Sequence, residues 1–376
     1  MKHYNEALFT PYTFKNGIQL KNRLVMAPMT NYSSNPDGSI HEAEIAYYHR
    51  RSKGVGAVIT AVANVTPGGQ GFDRQVGVDR DELIPGLARV AESIKAGGAK
   101  AILQIFHAGR MSQPHLVPNG DVTAPSNIPA MIGGMQGVLP RELTIVEIEE
   151  IILAFGEATV RAIKAGFDGV EIHGANGYLI QQFYSPHANR REDKYGGNLE
   201  KRMTFPLAVI ESVQRAVKEN TDSPFLVGYR FSPEEPDTPG ITMAETLKFV
   251  DVLADEALDY LHVSLGDFWS KARRGADASR TRIDLLLEKI GDRVPLIGVG
   301  SIRTQEEAER AMESGVDFLA LGRALVIDPE WVQKVEADKG SEIQTVLDLN
   351  TKEQLDMPDA FWKVINSRPG WFPGVE

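Results

Sequence analysis

The feature that most restricts what this chain can fold into is a rhythm of eight short apolar runs, each separated from the next by an amphipathic stretch. The runs cover residues 23–29, 57–61, 101–107, 169–173, 225–231, 260–264, 295–300 and 318–322. Most are unbroken rather than alternating, as expected of strands covered on both faces, and strands that alternate with helices build a parallel sheet. The stretches between them carry helix ends. Thr144–Glu147, Thr242–Glu245 and Thr304–Glu307 have the spacing of the capping box, and Asp328-Pro329 reads as an N-cap before a first-turn proline. Gly97, Gly166 and Gly315 stand where helices should turn back toward the next strand. A hairpin is expected at the start, with 12–15 and 18–20 flanking the two-residue turn Asn16-Gly17. A length of 376 residues alone suggests two domains. Eight such units without a break in composition instead predict one α/β domain over 1–376, a (β/α)8 TIM barrel.

Two connections are too long for plain loops. Residues 108–143 follow the third strand and 174–202 the fourth, and insertions of that length at strand C-termini read as lids over a barrel site. The stretch 351–376, with Trp362, Trp371 and Phe372, is expected to pack on the outside of the barrel or against a second subunit, so a homo-oligomer is possible.

Composition removes whole classes of function. There are no cysteines, which excludes disulfides, thiolate nucleophiles, cysteine-ligated zinc and iron–sulfur clusters. The net charge is −11 with no run of Lys or Arg, so neither nucleic acid nor an anionic membrane is an expected partner. The opening Met1-Lys2-His3-Tyr4-Asn5-Glu6 lacks a signal-peptide core, and no segment approaches the roughly 18 consecutive apolar residues of a membrane span. A cytoplasmic protein is expected.

Chemistry is legible in two places. Run seven ends in Gly298-Val299-Gly300-Ser301 and run eight in Gly322-Arg323. The turns after strands seven and eight are where barrels hold phosphate; glycines admit the anion to backbone N–H groups and Arg323 adds a charged fork. Run four ends in the string from Glu171 to Phe183, in which His173 and Asn176 lie three apart and Tyr178 follows. Two neutral donors at that spacing suit a carbonyl oxygen gaining negative charge, and the phenol suits proton delivery. A strand-end histidine satisfied locally, followed by a turn-forming Asn-Gly, would give the same string.

The same string resembles the signature of the old yellow enzyme family of FMN-dependent ene-reductases, and the likeness extends along nearly the whole chain. Leu8-Phe9-Thr10-Pro11, Leu20-Lys21-Asn22-Arg23, Ala27-Pro28-Met29-Thr30, Gln104 with His107-Ala108-Gly109-Arg110, Ser185-Pro186, Tyr195-Gly196-Gly197-Asn198, Arg230, Gly300-Ser301 and Gly322-Arg323 all fall in order. The resemblance implies that Ala27, Pro28 and Met29 line the isoalloxazine of FMN, that Thr30 donates near O4, and that Ala61 and Gln104 meet the pyrimidine end. It places Arg230 near N1, where a cation favours the reduced anion, and makes Tyr32 a substrate contact beside His173 and Asn176. Thr30 stands where some relatives carry cysteine, so thiol tuning of the flavin is excluded.

The activity so implied is reduction of an electrophilic alkene, such as an α,β-unsaturated carbonyl compound, by NADH or NADPH. The route would be ping-pong hydride transfer through flavin N5. Alternatives are an NADH oxidase or flavin reductase with oxygen or free flavin as acceptor, a non-redox phosphate-binding barrel lyase or isomerase, and a non-catalytic flavin binder.

Overall fold

In the computed structural model, which describes residues 3–376, the eight predicted strands form and run parallel. They are β1 (Leu24–Met26), β2 (Ala57–Ile59), β3 (Lys100–Phe106), β4 (Gly169–Gly174), β5 (Leu226–Phe231), β6 (Tyr260–Val263), β7 (Leu296–Val299) and β8 (Phe318–Leu321). Each pairs with the next and β8 pairs with β1, so the sheet closes. A ninth short strand, Ala63–Asn64, lies parallel to the end of β3 and was not anticipated. Around the barrel run α1 (Glu42–Ser52), α2 (Ile84–Ala96), α3 (Ile145–Lys164), α4 (Leu199–Asn220), α5 (Met243–Leu253), α6 (Arg282–Ile290), α7 (Gln305–Met312) and α8 (Trp331–Glu336). Closure explains the unbroken apolar runs: one set of strand side chains fills the barrel and the other packs under the helices.

The three predicted capping boxes form at α3, α5 and α7. Two more, His41 with Glu44 at α1 and Thr281 with Asp284 at α6, went unread because imidazole and Asp are unusual members of that motif. Asp328 does not cap a helix beginning at Pro329. Its carboxylate accepts from Glu330 N, and α8 starts at Trp331. After α2 it is Gly98, at φ 85°, that turns back, while Gly97 stays helical; Gly166 and Gly315 turn back as expected.

The opening hairpin pairs Tyr12–Thr13 with Gln19–Leu20, and Phe14 N donates to Ile18 O at 2.8 Å, so its loop is wider than two residues. Phe14 and Ile18 enter the lower barrel core with Leu226, Tyr260 and Phe318, and Asn16 Nδ2 reaches Phe225 O and Asp259 Oδ1. The hairpin is therefore the floor of the barrel. The connection 108–143 carries a small hairpin, Met131–Ile132 with Met135–Gln136, whose Met135 is 75% exposed. The connection 174–202 is less a lid than a wedge. Its helix Leu179–Tyr184 is buried along its whole length.

Candidate active site

The side chains at the end of β4 are fixed by the turn that follows it. Ala175 N donates to His173 Nδ1 at 3.2 Å, so that nitrogen is the acceptor and Nε2 carries the proton. His173 is 3% exposed, and burial, reinforced by the cation of Arg230, drives its pKa down to about 3. It is a neutral donor across the working pH range. Tyr178 stands edge-on to the His173 ring, with centroids 5.0 Å apart and planes at 84°, and edge-on to Phe106 at 5.0 Å. Burial pushes the Tyr178 phenol above its ordinary value, so it keeps its proton. Phe72 joins this group to Tyr32, with ring centroids at 6.1 Å from Tyr178 and 5.6 Å from Tyr32.

Gln182, one turn along the buried wedge helix, locks the arrangement. Its Nε2 donates to Ala108 O and Gly177 O, and its Oε1 accepts from Arg110 N, which ties the ends of β3 and β4 together. Asn176 stands exposed at the rim. Its Oδ1 accepts from Ser264 Oγ at 2.8 Å and Ser232 Oγ at 3.4 Å, which leaves the amide NH2 as its donating end. Tyr32, Asn176 and Ser301 have φ of 53°, 57° and 57°, the left-handed region that non-glycine residues seldom occupy. Strain of this kind collects at sites whose surroundings hold it in place.

A cavity at the ends of β1, β5, β7 and β8 brings together Ala27, Pro28, Met29, Arg230, Ser301, Gly322 and Arg323. Gly300 is not itself among the lining residues but lies between two that are, Val299 and Ser301; its φ is 153°, and a Cβ there would lie 2.2 Å from Phe268 N. Arg323 donates to Ser301 Oγ at 2.6 Å and to Trp371 O at 3.0 Å. Arg303 also lines the cavity, and burial together with Arg303 lowers the Arg323 pKa. No carboxylate among the described residues lines it. Arg230 is 7% exposed and its Nε is buried without a hydrogen-bond partner. Arg230 has Glu171 one layer below it, but Arg303 and Arg323 stand at a wall without a carboxylate, and that surplus of positive charge calls for a negatively charged ligand. The phosphate and ring of FMN fit that donor set.

The remaining predicted residues do not line this cavity. Gln104 is buried below the rim with Nε2 donating to Glu171 Oε1 at 2.7 Å. Ala61 N already donates to Tyr48 OH at 2.8 Å, so that N–H is not available to a ligand. Thr30 is half-buried beside Met29. The tail is not an outer appendage only: Phe372 is 1% exposed and Trp371 helps wall the cavity. Sequence reasoning missed Arg303, Trp371, Phe72, Phe106, Ser232 and Ser264. Of these only Arg303, two residues past Gly300-Ser301, offered a local signal.

The model of the NADH:flavin oxidoreductase / NADH oxidase family matches residues 7–342. A probable NADH-dependent flavin oxidoreductase of Bacillus subtilis is 52% identical over 366 residues, covering 97% of both chains. Among solved structures, morphinone reductase in complex with tetrahydroNAD matches with a TM-score of 0.75 at 28% identity, over 89% of this chain and 91% of that one. An old yellow enzyme homologue from Zymomonas mobilis matches with a TM-score of 0.76 at 26% identity, over 88% and 93%. With the closed barrel, the arginine-lined cavity and the histidine–tyrosine pair beside it, these findings make the chain a member of the NADH:flavin oxidoreductase / NADH oxidase family, the old yellow enzyme family, and an FMN-dependent oxidoreductase that uses NADH or NADPH.

Proposed function

We propose that the protein reduces the activated C=C bond of α,β-unsaturated carbonyl compounds, with the nicotinamide and the alkene occupying one pocket in turn. FMN, when bound, would supply the hydride chemistry between NADH or NADPH and the alkene. His173 Nε2–H and the Asn176 amide donate to the carbonyl oxygen, which draws electron density away from the β-carbon. Tyr178, protonated and packed against His173, delivers the proton to the α-carbon. Arg230 would hold positive charge beside the flavin ring, Arg323 and Ser301 would hold the phosphate, and Tyr32 would close the substrate side with Phe72. Ala27, Pro28, Met29 and Gly322 give the close apolar and backbone walls.

The observation that carries this reading is the Ala175 N–His173 Nδ1 hydrogen bond, because it turns a neutral Nε2–H outward beside an un-ionised phenol. The test compares enone turnover with oxygen consumption, under anaerobic and aerobic conditions, for NADH and NADPH. Anaerobic turnover of a simple enone is expected, together with a charge-transfer band on adding a phenol that weakens in His173→Ala. Oxygen consumption with no enone turnover would replace this reading with an oxidase.

A further inference from the structure

One layer below the cavity, the barrel interior holds charge where such barrels usually hold branched aliphatic side chains. Glu171 on β4 is the register partner of Gln104 on β3, and both its oxygens are taken: Oε1 by Gln104 Nε2 at 2.7 Å and Oε2 by His262 Nδ1 at 2.9 Å. Gln104 is 1% exposed, and Glu171 and His262 are 0% exposed. The Tyr260 ring fills the space over Gly228, where a Cβ would lie 2.0 Å from it. Burial pushes the Glu171 carboxyl up, but His262, its hydrogen bond and Arg230 more than reverse this and hold it ionised. Burial lowers the His262 imidazole more than the Glu171 carboxylate beside it raises it, and Arg230 adds to the lowering, so His262 Nδ1 and the Arg230 cation both face that carboxylate. Apolar side chains of similar volume would serve folding at least as well as a buried charge. The network therefore needs a reason other than stability.

A carboxylate accepts and cannot donate. Glu171 thus dictates which way the Gln104 carboxamide faces: the NH2 must point at the carboxylate and Oε1 must point away. No donor among the described residues reaches that Oε1. We propose that Glu171, braced by His262, is a positioning residue that fixes the Gln104 oxygen as an acceptor for an N–H on the pyrimidine edge of FMN. Its fixed negative charge also offsets Arg230 and restrains the flavin from being reduced too readily. This rests on the proposed seat of FMN beside Arg230 and on the expectation, carried by the family resemblance, that its pyrimidine end reaches down to Gln104.

The test uses the FMN-loaded protein and two readouts, the dissociation constant for FMN and the midpoint potential of the bound flavin. Glu171→Gln removes the charge and lets the Gln104 amide face either way. It should weaken FMN binding by about tenfold, the upper range for one hydrogen bond, and shift the potential upward. His262→Leu keeps the charge and loses one brace, and should weaken FMN binding by less. Arg230→Gln is the control, expected to shift the potential downward. If Arg230→Gln moves the potential and Glu171→Gln does not, FMN sits as placed and the role given to Glu171 is wrong. If neither moves it, the placement itself is wrong. Loss of FMN that tracks only a lower melting temperature, at unchanged potential, would make the network structural. Should Glu171→Gln fail to fold, the affinity of His262→Leu decides: wild-type affinity overturns the proposal.

Discussion

His173, Asn176 and Tyr178 differ in how much of their chemistry lies in the chain and how much in the fold. Their spacing along the string is a sequence property, and the β4 turn does put the imidazole and the phenol in ring contact. Which imidazole nitrogen carries the proton is not a sequence property, because it depends on one backbone N–H, that of Ala175. The raised Tyr178 phenol likewise comes from Phe106 on β3 and Phe72 on an earlier loop, far away in sequence. Tyr178→Phe separates the roles. It removes a proton source but no hydride contact, so reduction of the bound flavin by NADH should stay near wild type. Reoxidation by an enone should slow by about 10²–10⁴-fold, the usual contribution of a positioned acid. Stopped-flow measurement of the two half-reactions decides it, and equal slowing of both would remove Tyr178 as the proton donor.

At the scale of elements, the strands were the most legible part because burial on both faces leaves an unbroken apolar run. What surrounds them was less so. The hairpin at 12–20 is readable from Asn16-Gly17, yet its use as the barrel floor is not, since that depends on Asn16 meeting Phe225 and Asp259 more than 200 residues away. Asp259, just ahead of β6, accepts from Val227 N at 2.7 Å and from Asn16 Nδ2 at 3.2 Å, so it joins the hairpin to β5 and β6. Burial raises its pKa to about 6. The folded state therefore takes up a proton between pH 6 and about 4 that the unfolded chain, with an Asp near 3.9, does not. That carboxylate costs stability at pH 7, and the cost is relieved as pH falls through 6. Melting temperatures of the wild type and Asp259→Asn, measured from pH 7 to pH 4, should shift relative to each other in favour of the wild type on acidification. Parallel profiles would mean that Asp259 is ionised throughout.

Across the whole molecule, the cavity joins segments from both ends of the chain. Ala27–Met29 come from just after β1, Arg230 from β5, Ser301 and Arg323 from the turns after β7 and β8, and Trp371 from the tail. Arg323 holds this together with one nitrogen on Ser301 Oγ and the other on Trp371 O. The tail anchors itself through Phe361 and Ile365, both 0% exposed, in the helix Asp359–Asn366, before Phe372 inserts next to it. Removing residues 371–376 leaves that helix and the barrel intact but takes away the backbone partner of Arg323 and the burial of Phe372, worth about 1.5–3 kcal/mol. The truncated apoprotein should therefore still fold, melting a few degrees lower, while FMN dissociates faster because the arginine on its phosphate side loses its second tether. Fluorescence of released FMN, read beside the melting temperature of the apoprotein, distinguishes the outcomes. A stability loss with no change in FMN release would show that the tail is a strut for the barrel wall and takes no part in holding the cofactor.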